Sequence, residues 1–163
     1  MAITFDRSLY VRGGVTDPAR QRIVQVMQAA IDAVDPRAAV LRFLKREGNW
    51  LDVAGRRYDL DEYDHLYVVG AGKACAPMAI AVEEVLGERI TEGIVNVKYG
   101  YTQPTERIAL HEAGHPIPDA AGVEGAQQIA DLLVRATERD LVLCLISGGG
   151  SALMTLPAAG ITL

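Results

Sequence analysis

The sequence is poor in cysteine, in clustered positive charge and in long apolar runs. Two cysteines among 163 residues, Cys75 and Cys144, give no disulfide framework. Both fall inside an expected helix or strand and read as reduced core residues of a cytoplasmic protein. With only three histidines, widely spaced, a cysteine–histidine metal site is excluded. Sixteen Lys and Arg against twenty-one Asp and Glu leave a net charge of −5. Only Lys45-Arg46 and Arg56-Arg57 place two basic residues side by side, which argues against a nucleic-acid surface or an anionic membrane as partner. No stretch approaches the roughly eighteen apolar residues of a membrane span. Met1 to Tyr10 carries Asp6 and Arg7 rather than an apolar run, so no secretory signal is expected. Internal repeats, low-complexity tracts and linkers are also missing.

What remains is an ordinary globular balance, 50% hydrophobic and 23% charged, in about one domain's length of chain. It is organised around Leu66-Tyr67-Val68-Val69-Gly70-Ala71-Gly72-Lys73-Ala74. An apolar run entering Gly-x-Gly and then an apolar-periodic segment predicts a buried strand, a tight turn and a helix. Glycine at 70 and 72 is expected to free the backbone and leave room for a ligand atom. Helix-start N–H groups without helical partners, together with the Lys73 ammonium, make an anion site for a phosphate or a carboxylate. A plain strand-to-helix turn with a solvated lysine fits the same residues. Neither stock nucleotide motif is present. A P-loop needs a longer loop and a hydroxyl where Ala74 stands, and the dinucleotide fingerprint needs a third glycine where Cys75 stands.

Thr16-Asp17-Pro18 predicts a helix start, with Ile23, Val26, Met27, Ala30, Ile31 and Val34 on one buried face. Asp35-Pro36 repeats the signal for a helix through Val40, Phe43 and Leu44 to about Glu47. Trp50 to Leu60, turning at Ala54-Gly55-Arg56, reads as a small hairpin with Trp50 in a packing role. The central strand is followed by a helix over about 73–86, closed by Gly87. Further strands are expected at 93–98, 107–111 and 140–146, and a helix between Asp119 and Glu138. The run Leu141-Val142-Leu143-Cys144-Leu145-Ile146 is apolar without interruption, as in a strand covered on both faces. Strands alternating with helices define the expected fold class: α/β, a Rossmann-like αβα layered domain with a mainly parallel sheet. Leu163 follows the last glycine turn too soon to complete another α/β unit, so a fragment of a two-domain protein is expected.

Open α/β sheets bind ligands outside the carboxyl ends of their strands. Three segments map there: Gly70 to Lys73, Glu112-Ala113-Gly114-His115-Pro116, and Ser147-Gly148-Gly149-Gly150-Ser151. The triple glycine forms either a nest of N–H groups aimed at phosphate oxygens, with Ser147 and Ser151 beside it, or only a flexible loop. His115 either orients a substrate hydroxyl or is a turn residue, and Lys98 adds positive charge at the same edge. His65 and His111 read as structural.

These motifs, with Val97-Lys98-Tyr99-Gly100 and the ending Pro157 to Leu163, resemble the amino-terminal part of the glycerate 2-kinase family over essentially the whole chain. Relatives of that family have also carried the name hydroxypyruvate reductase. The resemblance implies transfer of phosphate from ATP to the 2-hydroxyl of glycerate, with Mg2+, in a cleft between two domains of a cytoplasmic enzyme. It places the catalytic lysine on Lys73, and the anion-site reading of the loops puts nucleotide or phosphate contacts on Gly70, Gly72, Ser147, Gly148, Gly149, Gly150 and Ser151. His115 and Lys98 would serve glycerate. The magnesium ligands belong to the region absent here, and no metal ligand is assigned in this chain. The fragment alone is expected to be inactive, and a homodimer is left open. Two alternatives stand: an NAD(P)-dependent hydroxypyruvate reductase, weakened by Cys75 and by Lys98 where an acidic ribose partner belongs, and a non-catalytic phosphate- or acid-binding module.

Overall fold

The computed structural model describes residues 18–163. It divides after Asp35 into two units. In the first, α1 spans Pro18–Ala33; the Thr16-Asp17 cap lies outside the described residues. Proline opens α1, where its missing N–H costs nothing. The expected buried face is a correction. Ile23, Val26, Met27 and Val34 are exposed, so the apolar spacing marks the helix without marking a buried face.

The second unit, Pro36–Leu163, opens with α2, Pro36–Phe43. This helix stops short of Glu47, the second correction. Leu44–Glu47 is instead strand β1, antiparallel to β2, Trp50–Val53, across the Gly48-Asn49 turn. Cross-strand pairing and burial of Leu44 and Leu51 outweigh the modest helical preference of four residues. The hairpin to β3, Arg56–Asp59, is as expected. Its two-residue loop has positive φ at both Ala54 and Gly55, the twist a tight hairpin requires.

The larger sheet comprises β4, His65–Ala71; β5, Glu92–Lys98; β6, Ile108–Ala113; and β7, Asp140–Ile146. All pairs are parallel, in the order β6-β5-β4-β7. Alternation along β4 divides its side chains between two layers. Leu66 and Val68 join Val95, Val97 and Leu145 against α3, Cys75–Leu86, whose Ala76, Ala79 and Val82 let the helix lie close. Tyr67 and Val69 turn the other way and pack with Ile129 and Leu132 of α4, Ala120–Val134. The three-layer α/β class is therefore as predicted.

One connection is irregular, and one strand departs from expectation. The connection from β5 to β6 carries no helix. It crosses as an irregular segment, and the Glu83 carboxylate on α3 receives it by accepting the N–H groups of Glu106, Arg107 and Ile108. β7 is an edge strand, and only one of its faces is covered. Leu141, Leu143 and Leu145 meet the α3 core, whereas Val142, Cys144 and Ile146 face outward. Cys144 is therefore not a core residue, and only Cys75 is buried. The unbroken apolar run predicts cover on both faces, and in Pro36–Leu163 only the α3 side has it.

Candidate functional site

Parallel pairing gathers the ends of β4, β5, β6 and β7 at one edge, and the turns leaving them are stitched together. Ser147 N–H donates to Ala71 O at 3.3 Å, Lys73 N–H to Gly148 O at 3.1 Å, and Gly72 N–H to Asn96 O at 3.0 Å. The glycine loop ends in α5, a single turn over Gly150–Leu153.

The glycines at 70 and 72 are needed for a different reason from the one expected. A Cβ at Gly70 would sit 2.0 Å from Leu145 O, and one at Gly72 2.0 Å from Ser147 Oγ. The room they leave is filled by β7 and its turn, not kept for a ligand. The Ser147 hydroxyl likewise serves the fold. It accepts the Ala74 N–H at 3.0 Å, capping a helix start with no side-chain cap of its own, and lies 3.4 Å from Cys75 Sγ. Burial pushes the Cys75 thiol up, which keeps it protonated and unsuited to nucleophilic work.

Lys73 is exposed, and its ammonium has no ion-pair partner among the described residues. It meets His115 at Gly149, where φ is 93°. A Cβ at this position would lie 2.7 Å from His115 Nε2 and 3.4 Å from Lys73 Cε. Two nitrogen-bearing side chains thus flank a bare stretch of backbone whose Gly148 and Gly149 N–H groups have no protein acceptor among the described residues. Ser151 is exposed next to them, while Gly150 packs close to Ala71 O. Lys98 stands elsewhere at the edge, its Nζ 5.3 Å from the centre of the Tyr101 ring.

The loop carrying His115 is tied down by Asp119, which sequence reasoning treated only as a helix boundary. Its carboxylate accepts the N–H groups of Gly114 and Gly122, each at 3.0 Å, and the Tyr99 hydroxyl at 2.8 Å. Those donors hold its pKa below the usual carboxylate value. Glu112 accepts the Gly100 N–H. His111 bonds Ala121 O at 2.8 Å and His65 bonds Asp140 at 2.8 Å, both structural as expected. A signal for the other overlooked residue, Asn96, was present in the sequence: one amide inside Ile94-Val95-Asn96-Val97.

An open parallel α/β sheet with glycine turns and an unpaired lysine at its carboxyl edge defines the class. Comparison with known proteins then places the chain. It belongs to the family described as a domain of unknown function, DUF4147, whose model matches residues 22–163. It is 41% identical over 140 residues to the glycerate 2-kinase of Pyrococcus horikoshii, an alignment covering 86% of this chain and 31% of that protein. A crystal structure of glycerate kinase from Thermotoga maritima is similar with a TM-score of 0.70 at 33% identity, over 87% of this chain and 31% of the other. A protein of Agrobacterium vitis named putative hydroxypyruvate reductase is 47% identical over 96 residues, 59% of this chain and 25% of that one. The chain thus spans about a third or less of the length of these relatives. The resemblance read from the motifs holds.

Proposed function

We propose that this chain forms one wall of the active site of a glycerate 2-kinase, which phosphorylates the 2-hydroxyl of glycerate at the expense of ATP. The observation that carries the reading is Lys73 beside Gly149: an ammonium next to N–H groups, both without a protein partner among the described residues, at the carboxyl edge of the sheet. Phosphoryl transfer asks a protein mostly for positioning and for positive charge around the migrating group. Lys73 supplies the charge, and the N–H groups of Gly148 and Gly149 with the Ser151 hydroxyl supply donors to phosphate oxygens. His115 Nε2 lies within reach of the same place and orients the attacking hydroxyl. Gly70, Gly72, Ser147 and Gly150 act one step back, by closing the turns on each other. Lys98 adds longer-range attraction for a carboxylate substrate.

Magnesium is part of the chemistry the family resemblance implies. Among the described residues no three His, Cys, Asp or Glu side chains cluster to hold an ion. Asp119 and Glu112, the carboxylates at this edge, already accept N–H and O–H groups. The described residues do not by themselves make a magnesium site. No helix among the described residues is long and apolar enough to cross a membrane; a cytoplasmic location goes with the kinase reading.

The test is turnover. A chain extended to the relatives' length is expected to release ADP in proportion to added glycerate and to yield 2-phosphoglycerate, seen by phosphorus NMR, while the 163-residue chain gives none. Glycerate-independent ADP release only, or oxidation of NAD(P)H with hydroxypyruvate in place of phosphoryl transfer, overturns the reading.

A further inference from the structure

Asn96 sits in the middle of β5 between two buried valines, and its amide is fully buried. An amide there is costly to desolvate, and any apolar residue of that size avoids the cost. Its Oδ1 finds no donor among the described residues. Glycine at 125 makes the room, since a Cβ there would lie 2.3 Å from Oδ1 and 2.5 Å from the His111 ring. Packing of the sheet therefore does not explain this residue.

Its hydrogen bonds do. Nδ2 donates to Leu153 O at 2.8 Å and to Gly122 O at 3.4 Å, and the main-chain carbonyl accepts the Gly72 N–H at 3.0 Å. Each contact leads into a different arm of the candidate site. Gly72 precedes Lys73. Leu153 ends the single helical turn that leaves the glycine loop. Gly122 shares the Asp119 carboxylate with Gly114, which adjoins His115.

We propose that Asn96 is the positioning residue of this edge: its buried side-chain amide ties the Leu153 and Gly122 carbonyls to the strand whose main chain holds Gly72, so that Lys73, Gly149 and His115 face a single phosphoryl group. A buried group with all its donors committed to fixed carbonyls specifies geometry in a way that apolar contacts do not. The ligand part of the proposal rests on the anion-site reading of the loops; the spacing part does not.

Asn96→Val removes both donated bonds while suiting a strand; Asn96→Ser replaces it if the valine variant does not fold. Leu86→Ala, a buried truncation in the last turn of α3, is the control for general destabilisation. Two readouts on this chain separate positioning from stability. The first is amide hydrogen exchange. Ala152 and Leu153, whose N–H groups bond Gly149 O at 3.2 Å, are expected to exchange at least tenfold faster in Asn96→Val, beyond any change at core amides of β4 and α3 and at Gly72, whose acceptor is the main-chain carbonyl that valine keeps. Leu86→Ala should speed the loop and the core alike. The second is titration with inorganic phosphate, followed by NMR at the Gly148 and Gly149 amides, with affinity expected to fall at least tenfold in Asn96→Val and to hold in Leu86→Ala. Loop exchange at the wild-type rate in the folded Asn96 variant overturns the proposal. Phosphate that moves neither amide in the wild type overturns the anion-site reading instead, and the exchange data then decide the spacing role independently.

Discussion

The two edges of the parallel sheet are built from the same four strands and treat charge in opposite ways. At the amino edge, where β4, β5 and β7 begin, charged groups are matched. Asp64 takes a two-pronged bond from Arg139, with both distances 2.7 Å, and His65 meets Asp140 at 2.8 Å. Arg135 reaches Glu92 at 2.6 Å, and Arg89 reaches Asp61 at 2.9 Å. At the carboxyl edge the acids are spent on backbone N–H groups and on Tyr99, and among the described residues Lys73 is left with neither carboxylate nor carbonyl. A protein shaped only by stability has no reason to treat its two edges differently. Paired charges at one edge set strand ends in register, and an unmatched ammonium beside bare amides at the other is available to something from outside.

The largest expected effect breaks this comparison if it fails. In a chain of the relatives' length, Lys73→Ala should lower kcat by roughly a hundred- to a thousandfold, about 3–4 kcal/mol on the barrier, as for loss of one preorganised donor to a charged transition state. The KM for glycerate should move much less, because the charge is redistributed mainly in the transition state. Lys73→Arg should recover only part, since a guanidinium is longer and planar where a compact charge sits. Folding, followed by circular dichroism, should be unaltered. Were Lys73 a surface charge of the Arg139 kind, kcat would stay within threefold of wild type.

Gly70→Ala addresses the scaffold under that edge and should come next in size. Its Cβ would be driven against the Leu145 carbonyl at 2.0 Å, and backbone in the middle of a sheet cannot step aside. A loss of about 3 kcal/mol in unfolding free energy is expected from overpacking of this severity, measured by urea denaturation. A variant as stable as wild type would show that β4 and β7 are looser at this end than the structure has them.

How far the sequence showed this in advance depended on the kind of signal. Strands β4, β5 and β7 were legible because their residues are apolar almost throughout, and α3 and α4 because their apolar residues recur at helical spacing. β1 was not. Leu44 to Glu47 carries no local preference strong enough to end a helix, and only its partners across the Gly48 turn decide the matter. The exposed side of β7 and of α1 was illegible for the opposite reason, since an apolar pattern states what a face needs and not what covers it. Within the candidate site, Lys73 and the 147–151 loop stood out as glycine motifs at strand ends, and the fold brings them to one edge. The service of Gly72 and Ser147 to each other was not, because they lie 75 residues apart in sequence and meet only in the fold. Asn96 and Asp119 were overlooked because an isolated polar residue shows its partners only in three dimensions.

The smallest expected effect sharpens the comparison from the amino edge. Arg139 and Asp64 are both about half exposed or more, with side-chain exposures of 63% and 49%. Their two-pronged geometry raises the guanidinium pKa and lowers that of the carboxylate, each chiefly through the hydrogen bonds to the other. Water nevertheless competes for both groups, and ordering two long side chains offsets much of the attraction. Arg139→Ala should therefore lower the thermal midpoint by at most about 2 °C at low ionic strength, on the scale of exposed pairs in a domain this size. The difference should shrink further near 1 M salt, where screening acts within about 3 Å. The variant should leave phosphate binding at the Gly148 and Gly149 amides untouched, because the pair sits at the far ends of the strands that carry them. Differential scanning calorimetry at two salt concentrations and the NMR titration supply both numbers. A large, salt-independent loss of stability would make the amino edge a structural keystone rather than a set of matched surface charges. A loss of phosphate affinity would show that the two edges are coupled through the sheet, and the division of labour between them would fall.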